Sequence, residues 1–212
     1  MTNSEFERIQ RLNVLKSMCF DDSGLYSWNF ENNNGRNPIM SKAKIYVSKW
    51  SEMSSNNNGL LLWGNVGTGK TYFAACIANA LVENGVSVRM TNFSTILNDL
   101  FYESDKNGYI ERLNNHSLLI IDDLGIERDT HYALEQVYNI VDTRYKSGNP
   151  FIVTTNLSLD EMKNPIDTVH KRIYDRVLEM CVPIKFCGEN FRIQKSADKM
   201  KAVKRLFETE VE

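Results

Sequence analysis

The chain has 212 residues, 42% hydrophobic and 25% charged, with 25 Lys and Arg against 27 Asp and Glu for a net charge of -2. Those values fit one globular domain with a substantial core and exclude a largely disordered or fibrous chain. The near-neutral balance excludes a protein that coats nucleic acid through bulk charge, while leaving room for a local basic patch. Residues 1–20 read as a short helix with Phe6, Ile9, Leu12 and Leu15 at three-residue steps, which packs on the main domain or on a partner. Residues 21–38 are rich in Asn, Asp, Gly and Ser and read as loop, with Trp28 and Phe30 as large apolar anchors. These aromatics either lie beside an adenine or tie the loop down, and composition does not choose between the two. Residues 41–53 are helical by period, with Ala43, Tyr46, Val47 and Trp50 on one face.

A first strand is expected over 60–63, and the helix that follows, 72–82, is apolar nearly all round, the pattern of a helix buried against a sheet. It stops at Asn84-Gly85, a suitable cap. Strand 86–91 and helix 93–101 come next, then a polar stretch, 102–115, in which Gly108 reads as a break. Strand 117–123 is a run of aliphatics ending in Asp122-Asp123, as in a strand covered on both faces. A helix over 129–146 places Leu134, Val137, Tyr138, Val141 and Tyr145 on its core face. Strand 151–156, helix 167–180, strand 182–186 and a terminal helix over 196–210, with Met200, Val203, Leu206 and Phe207 inward, complete the chain. Strands alternating with helices predict an α/β fold with a parallel sheet.

The chemistry centres on Gly64-Asn65-Val66-Gly67-Thr68-Gly69-Lys70-Thr71, a complete G-x-x-x-x-G-K-[ST] loop between a strand and a helix. A loop that curls its backbone N–H groups around phosphates needs residues without Cβ bulk at the tight positions, and the helix that starts there adds a partial positive charge. Lys70 is expected to reach the β- and γ-phosphates and the Thr71 hydroxyl to ligate Mg²⁺. In a parallel sheet the ligand sits at the carboxyl ends of the strands, so Asp122 is placed to hold Mg²⁺ and Asp123 to polarise an attacking water. Asn156, ending the fourth strand, can donate to the γ-phosphate or orient water, or else simply form a turn. Arg172 and Arg176, four apart on one helix, can serve a neighbouring subunit's nucleotide as an arginine finger or pair locally with Asp175 or Glu179. Arg192 opens a basic stretch with Lys195, Lys199, Lys201, Lys204 and Arg205 against the single acid Asp198.

The cysteines, Cys19, Cys76, Cys181 and Cys187, are scattered and read as reduced thiols, and His116, His131 and His170 have no ligand spacing. No apolar signal core opens the chain and no run approaches bilayer-spanning length, so a cytoplasmic location without membrane attachment is expected.

With these residues assembled, the chain resembles the AAA+ ATPases of the DnaC/DnaI helicase-loader group, which is related to the IstB transposition ATPases. The resemblance covers about residues 30–195. It rests on Gly64 to Thr71, on Leu119-Ile120-Ile121-Asp122-Asp123-Leu124-Gly125, on Ala133-Leu134-Glu135-Gln136-Val137-Tyr138 and on Thr154-Thr155-Asn156-Leu157. Arg172-Ile173-Tyr174-Asp175-Arg176 and Asn190-Phe191-Arg192 complete it. It implies a P-loop NTPase with a five-stranded parallel sheet flanked by helices and a reduced helical lid. Residues 1–36 would then be a partner-docking helix and loop, 37–195 the AAA+ core, and 196–212 a C-terminal helix. Gly64, Asn65, Val66, Gly67, Thr68, Gly69, Lys70, Thr71 and Tyr72, with Phe30 and Arg192 as sensor 2, would bind ATP or ADP, and Thr71 and Asp122 the Mg²⁺. Lys70, Asp123, Asn156 as sensor 1 and Arg176 as finger would serve a weak ATPase.

The resemblance further implies self-association through an ATP-bridged interface, a replicative DNA helicase as partner, and a helical insertion around residues 93–115 facing single-stranded DNA. The alternatives are a transposase helper acting on duplex DNA and a nucleotide-gated adapter that hardly hydrolyses. Two departures stand out. Asp123 replaces the Glu of many AAA+ proteins, which predicts slow turnover, and only about 58 residues precede the first strand. Partner binding is therefore expected to fall to residues 1–25, the terminal helix or another chain.

Overall fold

The structure, a computed structural model, describes residues 3–33, 35, 37–125, 130–165, 167–188 and 190–209. Five strands form, β1 (Gly59–Gly64), β2 (Val88–Asn92), β3 (Leu118–Leu124), β4 (Phe151–Thr155) and β5 (Cys181–Phe186). All pair in parallel in the order β2-β3-β4-β1-β5, so their carboxyl ends share one rim, where β1, β3 and β4 deliver the phosphate loop, the paired acids and Asn156. The aliphatic runs are explained by cover on both faces, since Leu61, Leu62, Ile120, Ile121, Ile152 and Val153 expose no surface.

Alternate residues of a strand serve opposite faces, and β1 shows it. Leu60 and Leu62 join the core formed with α1 (Asn3–Cys19), α2 (Met40–Ser48) and α4 (Lys70–Glu83). Leu61 joins the other core, under α5 (Phe93–Tyr102), α6 (Lys106–Asn114), α7 (His131–Ser147) and α9 (Thr168–Met180). Cys19, Cys76 and Cys181 are buried among these apolar groups. Among the described residues no helix is long and apolar enough to cross a membrane.

Several local expectations are corrected. The helix expected over 41–53 is two, because Lys49 ends α2 and caps α3 (Trp50–Ser55). Gly108 does not break the chain: the Asp105 carboxylate accepts its N–H at 2.9 Å, an N-cap that sets the glycine in the first turn of α6. A short α8 (Leu159–Lys163) was missed, although Ser158 and Glu161 form a capping box that marks it. On α7, Tyr145 turns outward to donate to Glu179 at 2.8 Å, and Arg144 takes the buried place. Asp129 and Glu210, expected helix ends, lie outside the described residues.

The two terminal helices leave most of their apolar residues exposed. In α1 only the carboxyl end docks. Cys19 and Phe20 are buried and Phe20 bridges to Met90 at the β2 edge, while Phe6, Ile9 and Leu15 are exposed. The last helix, α10 (Phe191–Thr209), starts five residues earlier than expected. Its Met200, Leu206 and Phe207 are 60–69% exposed and not inward. Among the described residues both sheet faces are already covered by other helices, so α10 finds no uncovered sheet face.

Candidate functional site

Above the carboxyl rim lies a cavity of about 530 Å³, walled by residues from the phosphate loop, from Asp123 and Asn156, from residues 28–37 and from the start of α10. That volume suits a nucleotide-sized ligand. Gly64 leaves β1 at φ +133, and a Cβ there would stand 2.2 Å from Phe186 O. Gly67 has φ +80, and its Cβ would meet Asn190 Oδ1 at 1.9 Å. Both positions therefore favour glycine for conformation, and Gly64 for space as well, because the atom it would meet is main chain. The Phe191 N–H donates to Gly67 O at 3.0 Å, so the β5–α10 connection braces the loop.

Lys70 opens α4 and is almost fully buried. Its ammonium donates to Gly64 O (2.7 Å), Asn65 O (2.9 Å) and Asn156 Oδ1 (2.8 Å), joining the ends of β1 and β4. Burial pushes its pKa down against the pull of Asp123 and Asp122. Thr71 Oγ1 donates to Asp122 Oδ1 at 3.0 Å, and Thr154 Oγ1 donates to the same oxygen at 2.7 Å. Desolvation raises the Asp122 pKa, and the two hydroxyl bonds oppose that rise. Asp123 lines the cavity at φ +59, a left-handed conformation uncommon outside glycine, and its N–H donates to Thr154 Oγ1 at 2.9 Å.

Of the other expected contacts, Val66, Gly67, Gly69, Tyr72 and Arg192 line the cavity, while the Thr68 hydroxyl turns back onto Asn65 O at 2.8 Å. Tyr72 donates to Asn29 O at 2.8 Å and its ring lies 5.5 Å from Trp28. Asn79, about two turns further along the same face of α4, donates to Leu25 O and Trp28 O at 2.9 and 3.0 Å. The phosphate-loop helix thus clasps the loop that carries the aromatic wall.

Between the two aromatics left open by sequence, Trp28 lines the cavity. Phe30 packs against the core beside Lys44 and is not among the lining residues. Asn32, Asn33, Asn37 and Phe191, which sequence reasoning did not single out, complete the wall. The Asn run beside Trp28 was the available signal. The side chains of Lys195 and Asp198, in the basic stretch after Arg192, lie outside the described residues.

Arg176 stands apart from the cavity. Its guanidinium pairs with Asp142 of α7 at 2.6 Å and sits over the Tyr138 and Tyr145 rings at 4.8 and 5.7 Å. The local partners expected, Asp175 and Glu179, are not the ones used. Burial raises the Asp142 pKa, but its bonds to Lys146 and Arg176 outweigh this and hold the carboxyl below its ordinary value. Arg172, one turn earlier, is exposed. Arg176→Ala is expected to lower stability by about 1–2 kcal/mol, from the ion pair and the cation–π contacts together. In thermal unfolding this reads as a melting temperature lower by roughly 2–8 °C. Arg172→Ala should leave the melting temperature in place.

The donor set fits a nucleoside triphosphate with Mg²⁺. A cradle that favours glycine and a buried ammonium suit phosphate, and the Thr71 hydroxyl beside the Asp122 carboxylate offers the hard oxygens Mg²⁺ requires.

The sequence profile of the IstB-like ATP binding protein family matches residues 7–199. The replicative helicase loader DnaC of Escherichia coli K12 is 31% identical over 148 residues, covering 68% of this chain and 58% of its own length. The replicative helicase loader DnaI of Bacillus subtilis is 28% identical over 160 residues, covering 69% and 51% respectively. The chain therefore spans little more than half the length of these curated relatives. The crystal structure of DnaI superposes with a TM-score of 0.68 at 22% identity, over 83% of this chain and 98% of that one, which shows a shared fold. The chain belongs to the IstB-like ATP-binding protein family and has the AAA+ P-loop fold of the DnaC and DnaI helicase loaders.

Proposed function

We propose that this protein is an ATP- and Mg²⁺-dependent AAA+ module that loads or remodels a replicative DNA helicase on single-stranded DNA, hydrolysing ATP slowly. The observation that carries the nucleotide half is the meeting of two strand ends, those of β1 and β4, at one ammonium, with Lys70 bonded to the loop carbonyls and to Asn156. Similarity to DnaC and DnaI supports the loader half.

In this reading Lys70 supplies fixed positive charge to the β- and γ-phosphates. Thr71 and Asp122 hold Mg²⁺, which when bound neutralises charge on the phosphate oxygens. Asp123 takes the proton side of an attacking water, and the Asn156 amide orients that water. A carboxylate one methylene shorter than Glu, on a left-handed backbone, reaches less far and agrees with slow turnover. Lys70 releases its loop carbonyls for phosphate oxygens, so nucleotide occupancy changes what braces the loop and, through Gly67 and Phe191, the start of α10. Subunits meet across the nucleotide in this reading. Arg172 is exposed and makes no ion pair among the described residues, so it could act there without rearrangement, whereas Arg176 would first have to leave Asp142.

Single-stranded DNA would be read by the α5–α6 turn, where Phe101 and Tyr102 are 73% and 86% exposed and stand edge to face at 5.2 Å. Base stacking on an aromatic contributes roughly 1–3 kcal/mol. The double variant Phe101→Ala, Tyr102→Ala is expected to weaken binding of an oligothymidine at least about fivefold while ATP affinity stays within twofold. An unchanged oligothymidine affinity would count against this surface. The loader reading itself is tested by co-purification with the replicative helicase of the same genome, with and without ATP. ATP-dependent capture is expected, and no capture in either state would sink it. The family description keeps a second reading in play, a transposition helper of IstB type. Preference for duplex over single-stranded DNA, with no helicase capture, would select it.

A further inference from the structure

β3 and β4 pair in even register from Leu119 opposite Phe151 to Ile121 opposite Val153, and the next pair is Leu124 opposite Thr155. β3 thus fits two residues, Asp122 and Asp123, where β4 has only Thr154. This is a bulge, a device that re-aims side chains beside functional sites. The extra residue is accommodated by the left-handed backbone of Asp123.

Thr154 holds the bulge together. Its side chain exposes no surface, and a hydroxyl carries one proton and two lone pairs. Both functions are used. The proton goes to Asp122 Oδ1 at 2.7 Å, and a lone pair accepts the Asp123 N–H at 2.9 Å. Thr71 reaches the same Asp122 oxygen at 3.0 Å, so two hydroxyls, one from α4 and one from β4, fix the rotation of that carboxylate. The neighbouring Thr155 is equally buried, but its hydroxyl serves only main chain, donating to Leu124 O at 2.7 Å and accepting the Leu157 N–H at 3.1 Å. Burial of a strand threonine does not by itself produce the Thr154 arrangement.

The geometry assigns to Thr154 the part of a positioning residue that sets both acids at once, orienting the Asp122 carboxylate toward a divalent cation and holding Asp123 in the conformation that faces the cavity. The assignment rests on the reading of Asp122 as the Mg²⁺-holding acid and Asp123 as the water-directed one.

The test compares the full chain with Thr154→Val, which keeps branching and volume but removes the hydroxyl, with Thr154→Ser, which restores the hydroxyl, and with Thr155→Val as a control. A fluorescent ATP analogue is titrated in excess Mg²⁺ and in EDTA, and steady-state ATP hydrolysis is followed alongside. For Thr154→Val, affinity in EDTA should stay within about twofold, while the gain on adding Mg²⁺ shrinks about tenfold and kcat falls roughly 10- to 100-fold, the range seen when partners of metal ligands are removed. Thr154→Ser should recover most of both losses. Thr155→Val should change thermal stability and leave the Mg²⁺ gain intact.

If Thr154→Val keeps the full Mg²⁺ gain, or if it loses affinity in EDTA to the same degree, the hydroxyl only supports the strand and the assignment is overturned. Failure of Thr154→Ser to rescue overturns it equally, and that variant decides the matter if the valine form does not fold. A parent protein whose nucleotide affinity ignores Mg²⁺ would instead bring down the metal reading of the site, and the assignment with it.

Discussion

Lys70→Ala is expected to remove the stabilisation that ATP confers and to lower hydrolysis by about 10²–10³-fold, the loss typical of deleting a fixed electrostatic contact to a transition state. The ammonium is desolvated by the fold and held by two carbonyls and the Asn156 amide oxygen, so burial depresses its pKa. Its hydrogen-bond acceptors are all neutral and Asp123 and Asp122 offset only part of the cost of burial, so an arriving polyphosphate supplies the missing charge. The variant loses that attraction and also leaves Gly64 O and Asn65 O without their donor. The second loss costs on the order of 1 kcal/mol and is offset by no longer burying a charge, so stability without ligand should move little. Binding is where the variant should differ. At a ligand concentration of about 100 times Kd, ATP should stabilise the parent protein by about 2.7 kcal/mol. This raises the melting temperature by roughly 5–11 °C for a chain of this size, and the variant should show almost none of it. An undiminished shift in Lys70→Ala would refute the nucleotide site as described. Arginine is a poor replacement, because a planar fork cannot fill the position of a point donor shared by three converging oxygens.

The phosphate loop was legible because its requirements are local. Glycine at fixed intervals, then Lys and Thr at a strand–helix junction, encodes the backbone conformation in contiguous residues. The central strands were legible for a similar reason, since cover on both faces demands unbroken aliphatic runs such as Leu118 to Ile121. What escaped depends on pairs distant in sequence. Thr154 meets Asp122 across 32 positions, and the bulge that joins them arises only when β3 is laid beside β4. Arg176 finds Asp142 on another helix, which no i,i+4 rule anticipates. Trp28 and Phe30 were indistinguishable by composition, and the Tyr72 and Asn79 clasp decides which one reaches the cavity. The apolar stripe of α10 was read as inward because amphipathic period reports a face without reporting whether a surface remains for it to cover. Met200, Leu206 and Phe207 stay exposed because other helices already cover both faces of the sheet.

Arg144→Met is expected to be the most destabilising single change outside the aliphatic core. Helical period from Val137 and Val141 points equally to 144 and 145, and an aromatic is the natural choice for a buried place. The structure takes the arginine, which exposes no surface at all. The reason lies at the amino-terminal rim of the sheet, opposite the cavity, where the chain enters β3 and β4 and Pro150 O receives only a long main-chain bond, from the Leu119 N–H at 3.5 Å. The guanidinium donates from Nη1 to Asn114 O and His116 O, both at 2.8 Å, from Nη2 to Ser117 O at 3.2 Å, and from Nε and Nη2 to Pro150 O. Its five N–H groups in a planar fork match four converging acceptors, which no other side chain could do. Burial pushes its pKa down to about 10, so it stays charged at neutral pH. Methionine keeps most of the volume and removes every donor, leaving Asn114 O, His116 O and Ser117 O without this partner and Pro150 O with only the long bond from the Leu119 N–H at 3.5 Å. Each costs about 1–3 kcal/mol if it finds no water, and relief from burying a cation returns part of this, so a net loss of about 4 kcal/mol is expected. For a domain of this size that lowers the melting temperature by roughly 8–16 °C, with a matching fall in the urea midpoint. Arg144→Lys should recover less than half, because three donors on one nitrogen cannot span the entries to both strands. A loss below about 1 kcal/mol in Arg144→Met would mean that water replaces the guanidinium, and that the two strand entries are held by packing alone.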